Sequence, residues 1–388
     1  MARIVAGQGA LGAVADAVRF RFTEADIPVV PPLSDHEIRL VIGPANEAGQ
    51  GKEWAHAVER NVPTASATVV RAIGADPFQP AVDLNVPVAV YRRSEVWHEA
   101  FEAYLSSHTH VIWESGLRLL GRRYDDVVQE IRRLEGDGVR GALLFHGSDI
   151  RPPSRHAEQS AWSPFHRTSE GPVRAFEDRA RRNLALAEQA GVPVFVSTPD
   201  LLQWVPSAHW CPVVVDSQRW REAKVRNPST KRPVVVHAPS SPWLKGTALI
   251  EPVVRTLDQE GVIEYREVQG VPHAAMPAFY GEADVMLDQF ALGSYGVAAG
   301  EAMAAGTVVM GHVDEHTRRM VRERTGMELP VWEATAESLE EQLRLFAAEP
   351  EAFAELRTQG QEYVRRVHDG QMSARALAPF LGVTWSTP

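Results

Sequence analysis

Residues 284–306 read DVMLDQFALGSYGVAAGEAMAAG, and the rest of the chain can be read outward from them. The stretch opens on four residues of strand character, 284–287, which end at Asp288 and Gln289. A glycine-containing turn follows, Gly293-Ser294-Tyr295-Gly296. Residues 297–305 are then small or apolar all round except at Glu301. A helix with no polar face is a buried helix. A carboxylate inside it must be paired or hydrogen-bonded, because stranding it costs several kcal/mol. Two kinds of partner fit: an internal Arg or backbone N–H, or a pair of hydroxyls on a bound sugar, since an ionised carboxylate accepts from both at once. The N–H groups of the turn and first helical residues are free to point at an anion.

Upstream, residues 233–247 read PVVVHAPSSPWLKGT. A short apolar strand, 233–236, ends in a turn with Pro239, Ser240 and Ser241, and Lys245-Gly246-Thr247 opens a helix. This is a second anion-site pattern, with Thr247 as the expected N-cap. Lys245 is the informative residue. A cation beside a helix N-terminus faces the positive end of the dipole, at a cost of about a few tenths of a kcal/mol or more. A bound diphosphate would reverse that sign. The residues alone leave a solvated loop lysine as an equal reading.

The strand-then-helix rhythm runs through most of the 388 residues. Apolar runs at 39–42, 86–90, 110–113, 139–145, 192–196 and 212–215 read as buried strands, and a second series does so at 233–236, 262–265, 284–287 and 307–310. Amphipathic helices are expected over 95–105, 174–190, 337–347 and 351–368, the second of them closed by Gly191. Such alternation implies parallel sheets with helices on both faces. Residues 216–232 are polar and interrupt the rhythm. The expected organisation is therefore α/β: a Rossmann-like domain over 1–216, a linker over 217–232, a second doubly wound domain over 233–370, and a C-terminal segment over 371–388 packing back on the first. Residues 1–38 carry no clear signal. The loop at 150–173 is unusually long. Its Trp162, Phe165, Arg151, Arg155 and Arg167 make it either an acceptor-side lid or a mobile surface loop.

Composition narrows the function classes. A formal net charge of −10 argues against nucleic acid as the main partner. The single cysteine, Cys211, cannot form an internal disulfide and reads as a buried thiol in a reducing cytoplasm. No apolar run is long enough to form a transmembrane segment, and no h-region marks a signal peptide. Gly7-Gln8-Gly9-Ala10-Leu11-Gly12 formally matches a dinucleotide fingerprint. The strand before it is very short, however, and the run at 27–30 meets Pro31-Pro32 with no acid for a ribose. His312, Asp314 and His316 read as a solvated turn rather than a metal site. There is no G-x-S-x-G elbow and no Asp-x-Asp pair beside the phosphate loop.

Two segments of the first half complete the candidate site. Residues 43–51, GPANEAGQG, follow the strand at 39–42. There Asn46, Gly49, Gln50 and Gly51 either let a backbone approach a ligand or form a plain strand-to-helix turn. Residues 146–149, HGSD, follow the strand at 139–145. His146 and Asp149 would thus sit at a carboxyl strand end, where open parallel sheets bind ligands; a structural His capping a turn is the other reading.

Together, 237–247 and 284–306 resemble the donor half of the retaining, family-4-like glycosyltransferases (glycosyl transferases group 1) with the GT-B fold, in which two Rossmann-like domains face a central cleft. The resemblance covers most of 233–310. It implies that Lys245 and Gly246, with Ser240 and Ser241, bind a donor diphosphate, and that Glu301, followed by Ala302-Met303-Ala304-Ala305-Gly306, binds the nucleotide ribose. It implies a phosphate role for the turn that carries Gly293, Tyr295 and Gly296. It also places the Asn46–Gly51 loop near acceptor and phosphate, and sets His146 against the transferred sugar with Asp149 beside it. The chain departs from the family twice. Ala238-Pro239-Ser240-Ser241 stands where an Arg is common, and Gly293 stands where a first glutamate is usual, so that Asp288, Gln289 or backbone amides would replace its sugar contact. Base contacts in such folds are mostly backbone, around 268–273 here. The resemblance implies transfer of a sugar from a nucleotide diphosphate sugar to an acceptor hydroxyl, with retention, without metal or cofactor. A nucleotide-sugar epimerase is the rival within the fold, and an NAD-dependent oxidoreductase the rival outside it.

Overall fold

The computed structural model describes residues 20–73, 82–166, 170–222, 232–268 and 270–385. The Gly7–Gly12 fingerprint, Arg167, most of the expected linker and part of the 268–273 segment lie outside these residues.

Two wholly parallel sheets form the frame. Strands β1 (Ile38–Gly43), β2 (Ala65–Ile73), β3 (Leu84–Pro87), β4 (His110–Glu114), β5 (Arg140–Phe145), β6 (Val194–Val196) and β7 (His209–Trp210) assemble in the order β3-β2-β1-β4-β5-β6-β7. Strands β8 (Val234–His237), β9 (Glu264–Glu267), β10 (Val285–Leu287), β11 (Val308–Gly311) and β12 (Val331–Glu333) assemble as β12-β11-β10-β8-β9. Helices lie between most successive strands, as parallel pairing requires a crossover. In each sheet the winding reverses beside the first strand, between β1 and β4 and between β8 and β10. Ligands of doubly wound sheets bind at such reversals, outside the carboxyl strand ends.

Most strands form where apolar runs predict them, because a strand buried on both faces needs apolar residues throughout. β1 and β4 are nearly or wholly buried along their length. Three strands lacked that signal, among them the two-residue β7. β2 is rich in Ala, Ser and Thr and is recruited by pairing Ile42 with Val69, while β12 is a three-residue edge. The run at 86–90 divides: Leu84–Pro87 is strand and Val88–Arg93 is helix.

The run 212–215 is buried but joins no ladder. Its backbone is satisfied outside any ladder instead, mostly by side chains. Gln50 Oε1 accepts from Val214 N at 2.6 Å, and Gln50 Nε2 donates to Val214 O at 3.1 Å. His368 O takes Val215 N at 2.8 Å, and Trp54 Nε1 and Ser373 Oγ both donate to Pro212 O at 2.8 Å. The chain thus leaves the first sheet clamped between the Gln50–Asn61 helix and the C-terminal Gln371–Leu381 helix. Leu377, Phe380 and Leu381 of the latter share a buried cluster with Leu40, Ile42, Trp54 and Val58.

After this clamp Asp216 caps a short helix, Ser217–Arg221, that buries Trp220. The long segment after β5 is not an open loop. It folds into helices Gly147–Ile150 and Pro153–Gln159 and a 3-10 turn Pro164–His166, the second started by Pro at its first position. Among the described residues no helix is long and apolar enough to cross a membrane.

Candidate functional site

On the second sheet, His237 ties three elements at the carboxyl ends. Its Nδ1 lies 2.7 Å from Leu287 O at the end of β10, and its Nε2 lies 2.8 Å from Thr247 Oγ1. Thr247 is therefore the first residue of the Thr247–Gln259 helix, with its hydroxyl spent on His237, and Gly246 holds the N-cap position that Thr247 was expected to fill. Gly246 is left-handed, with φ 77°, and a Cβ there would meet the Ala291 Cβ at 3.1 Å. Only glycine suits both conditions.

Lys245 ends the preceding Pro242–Lys245 turn. Its Nζ lies 2.5 Å from Asp288 Oδ1, and Asp288 is only 3% exposed. The other Asp288 oxygen and Gln289 Oε1 are buried without a hydrogen-bond partner among the described residues. Gln289 donates through Nε2 to Ser294 O. The lysine is thus neither solvated nor unpaired: a buried carboxylate holds it at the point where β8 and β10 separate.

The turn before the buried helix is shaped by Asp314. A Cβ on Gly293 would sit 2.7 Å from Asp314 Oδ2, and Gly293 has φ 64°. A glutamate there would be strained in its backbone and would crowd Asp314. Tyr295 turns its hydroxyl inward to Tyr363 at 2.7 Å and His368 at 3.2 Å, so it offers the site its ring and backbone. Gly296 caps the Val297–Ala304 helix without a side chain, which leaves the first helical N–H groups open.

Glu301 has a partner inside the protein after all. His273 Nε2 lies 2.6 Å from Glu301 Oε1, while Glu301 is 6% exposed. Burial raises the Glu301 pKa against the pull of His273, and the bond to Glu301 raises that of His273. Trp220 meets the His273 ring edge-on with centroids 5.6 Å apart. The imidazole is half exposed, so one face of the pair remains open to a ligand.

The first sheet contributes a strained loop. Asn46 (φ 52°), Ala48 (φ 50°) and Gly49 (φ 77°) are all left-handed, a conformation that non-glycine residues hold only at a cost of about 1–3 kcal/mol each. Glu114, at the end of β4, secures it: its Oε2 accepts from Asn46 N at 2.8 Å. Lys52 N donates to Asn46 Oδ1 at 3.1 Å. A Cβ on Gly51 would lie 3.0 Å from that same Asn46 oxygen. Gln50 is committed to Val214, away from the cleft.

His146 stacks on Trp54, with centroids 5.6 Å apart, and its Nε2 is 3.4 Å from Glu114 Oε1. Burial works against its proton, but the bond to Glu114 and the charges of Asp149, Glu114 and Glu47 raise its pKa overall. The Asp149 carboxylate accepts from His146 N at 3.0 Å and lies 3.7 Å from Arg179. Glu47, between the two strained residues, is the residue that spacing did not reveal. Its Oε1 is buried without a hydrogen-bond partner among the described residues. Burial pushes its carboxyl to about 7, with His146 pulling it down and Asp149 and Glu114 pushing it up.

Between the sheets lies a cavity of ≈ 220 Å³. Gly147, Ser148, Arg151, Phe165, Phe176 and Thr198 wall it on one side, and Ser240, Ser241, Lys245, Gln289, Ser294, Tyr295 and Gly296 on the other. The structure thus gathers most of the expected donor residues on one wall. Asp288 lies behind Lys245, while Glu301, His146 and the Asn46–Gly51 loop are not part of the wall. The expected lid is an interdomain strap: Phe165 and Phe176 pack on Trp243, and His156 Nε2 lies 3.2 Å from Leu292 O. Arg155 covers Trp204 instead of facing the cavity.

His312 pairs with Glu333, His316 with Arg319, and Asp314 caps the Glu315–Thr325 helix. No group of three metal-ligating side chains occurs among the described residues. Cys211 is buried, and burial pushes its thiol pKa up.

No family model matches the chain, and no curated protein matches it by sequence. Solved structures do. The chain is similar to sucrose-phosphate synthase from Thermosynechococcus elongatus, with TM-score 0.59 and 14% identity over 89% of this chain and 98% of that one. It is similar to HepE of Anabaena in complex with UDP-glucose, with TM-score 0.55 and 11% identity over 90% and 100%. It is also similar to the catalytic domain of starch synthase IV from Arabidopsis thaliana bound to ADP and acarbose, with TM-score 0.51 and 9% identity over 90% and 100%. The fold is GT-B. Two doubly wound domains face one another across the cavity, with Lys245 on one wall and the end of β5 on the other.

Proposed function

We propose that the protein is a glycosyltransferase that moves a sugar from a nucleotide diphosphate sugar to an acceptor hydroxyl, with retention of configuration and without a metal ion. The observation that carries this reading is Lys245. It is fixed by Asp288 on the wall of an interdomain cavity and flanked by the Ser240-Ser241 turn and the uncapped start of the Val297–Ala304 helix. Departure of a nucleoside diphosphate builds negative charge on its terminal phosphate. An ammonium and preorganised N–H groups stabilise that charge where other enzymes use a metal. The donor binds mainly to the second domain and the acceptor to the first, where His146 orients the sugar. Water is excluded when the walls meet. No side chain is assigned as nucleophile: the acceptor attacks from the face the phosphate leaves, and the leaving phosphate assists its deprotonation. The lone, buried Cys211 fits a reducing cytoplasm.

The test is a thermal-shift screen of UDP-, GDP- and ADP-sugars, followed by assay of nucleotide release. Saturating ligand, at a hundred times its dissociation constant, adds about 2.7 kcal/mol of stability. Nucleotide release should require acceptor, persist in EDTA and give a product whose anomeric coupling constant matches the donor. Release without acceptor points to an epimerase or hydrolase, EDTA loss restored by Mn²⁺ or Mg²⁺ to a metal enzyme, and an inverted anomer to a different displacement.

Glu301 gives a second test. Glu301→Gln should weaken donor binding roughly tenfold or more, the effect of one charge-assisted hydrogen bond, and leave the fold intact. Unchanged donor affinity by calorimetry with a lowered melting temperature would instead make the carboxylate a structural partner of His273 alone.

A further inference from the structure

The cavity has a cation on each wall. Opposite Lys245 stands Arg151, from the first domain, at the end of the Gly147–Ile150 turn. Arg151 is 6% exposed, as deeply buried as a core residue, yet its Nε–H has no acceptor among the described residues. An orphaned guanidinium donor inside a protein is costly unless something outside the protein accepts from it.

The guanidinium is held by one ion pair and by close packing. Its Nη2 lies 2.5 Å from Asp200 Oδ2. Asp200 uses its other oxygen to accept from Ser294 Oγ at 2.6 Å, and Ser294 belongs to the Gly293–Gly296 turn of the opposite domain. The Arg151 guanidinium also lies close to Gly147, where a Cβ would meet Nη1 at 3.0 Å and Nη2 at 3.2 Å. The His156 contact to Leu292 O and the packing of Phe165 on Trp243 dock this whole segment on the second domain. The second domain's own loop, Ala238 to Ser241, carries no cation before Lys245. Lys245 is already matched by Asp288. A diphosphate brings at least two negative charges, more than one paired lysine answers.

We propose that Arg151 is a second phosphate-binding cation of this site, delivered across the cleft by the first domain and steered by Asp200, with its unpaired Nε–H answered by the diphosphate of the nucleotide. The inference rests on the nucleotide-sugar reading of the cavity. It joins domain packing to phosphate neutralisation. The Asp200–Ser294 contact sets the guanidinium beside the turn of the opposite domain, so the leaving group meets a cation from each wall. Arg suits the task better than Lys, since its planar fork can hold Asp200 with one edge and a phosphate with another.

The experiment is calorimetric titration of the full chain with UDP, GDP and ADP, and with the parent nucleoside of whichever binds. Four forms are compared: wild type, Arg151→Gln, Asp200→Asn, and Arg151→Gln/Asp200→Asn, each with its melting temperature. Arg151→Gln should weaken the diphosphate roughly tenfold to a hundredfold and leave nucleoside binding unchanged. It should also lower the melting temperature, because Asp200 is stranded. The double variant should regain the melting temperature but not the diphosphate affinity. Recovery of wild-type diphosphate affinity in the double variant would make Arg151 only a counter-ion for Asp200 and overturn the proposal. Equal losses for diphosphate and nucleoside would overturn it as well. Failure of the wild-type chain to bind any of the three diphosphates would overturn the nucleotide reading itself, and this proposal with it.

Discussion

Lys245→Ala should lower kcat at saturating donor by on the order of a hundredfold or more, about 3 kcal/mol, the usual loss when one preorganised charge-stabilising donor is removed. The effect should fall on kcat and not merely on the donor KM, because the charge Lys245 answers is larger in the transition state than in the bound donor. Lys245→Arg should rescue only in part, since a planar fork does not occupy the place of a compact ammonium. Stability needs separate treatment. A cation beside a helix N-terminus is mildly unfavourable, and on that ground alone its loss would leave stability unchanged or slightly higher. The Asp288 contact reverses the sign. Asp288 is buried, one of its oxygens already lacks a partner, and the other depends on Lys245 at 2.5 Å. Breaking such a pair from one side leaves an uncompensated buried charge. Lys245→Ala should therefore lower the melting temperature, and Lys245→Ala/Asp288→Asn should restore it without restoring kcat. Near wild-type kcat for Lys245→Ala would move the phosphate site elsewhere.

Lys245 and Glu301 were legible in the sequence because each breaks a local rule: a cation at the start of a helix, and a carboxylate in an otherwise apolar one. Their partners were not legible. Asp288 and His273 lie 43 and 28 residues away, brought close by strand order rather than by spacing. The run at 212–215 carried a strand signal, yet Gln50 and His368 satisfy its backbone. Nothing in a local window distinguishes a ladder from an amide side chain imitating one. In the sequence Arg151 is one of several basic residues in a long segment. Its difference from Arg155, which covers Trp204, arises only when the segment folds into helices and docks across the cleft. Periodicity reports which face of an element is buried, and it is silent on which loop meets which at the carboxyl ends of two sheets.

Glu47 shows the same limit with a measurable consequence. It stands among Glu114, Asp149 and His146, with one oxygen buried and unpartnered. Burial holds its carboxyl near 7 where an ordinary glutamate titrates at 4.5. The folded state thus binds this proton more tightly than the unfolded chain does. Its contribution to stability is full below about 4.5 and is lost as pH rises through about 7. Above that the ionised carboxylate costs the fold up to about 3 kcal/mol, at about 1.4 kcal/mol for each tenfold change in proton affinity. Glu47→Gln should therefore raise the melting temperature at pH 8 and have little effect at pH 5. Wild type and variant should converge as pH falls between the two. Part of the gain is offset at His146, whose raised pKa draws on the Glu47 charge as well as on Glu114 and Asp149. A Glu47→Gln gain of the same size at pH 5 and pH 8 would show that the carboxyl titrates in the ordinary range and that its environment is wetter than the packing around it indicates. A residue that destabilises the fold at working pH, in a loop already carrying three left-handed residues, matches the trade of stability for activity common at functional sites. Glu47→Gln should accordingly cost more in kcat/KM for the acceptor than in donor affinity, because it lies on the first-domain side of the cleft and away from the wall that holds Lys245.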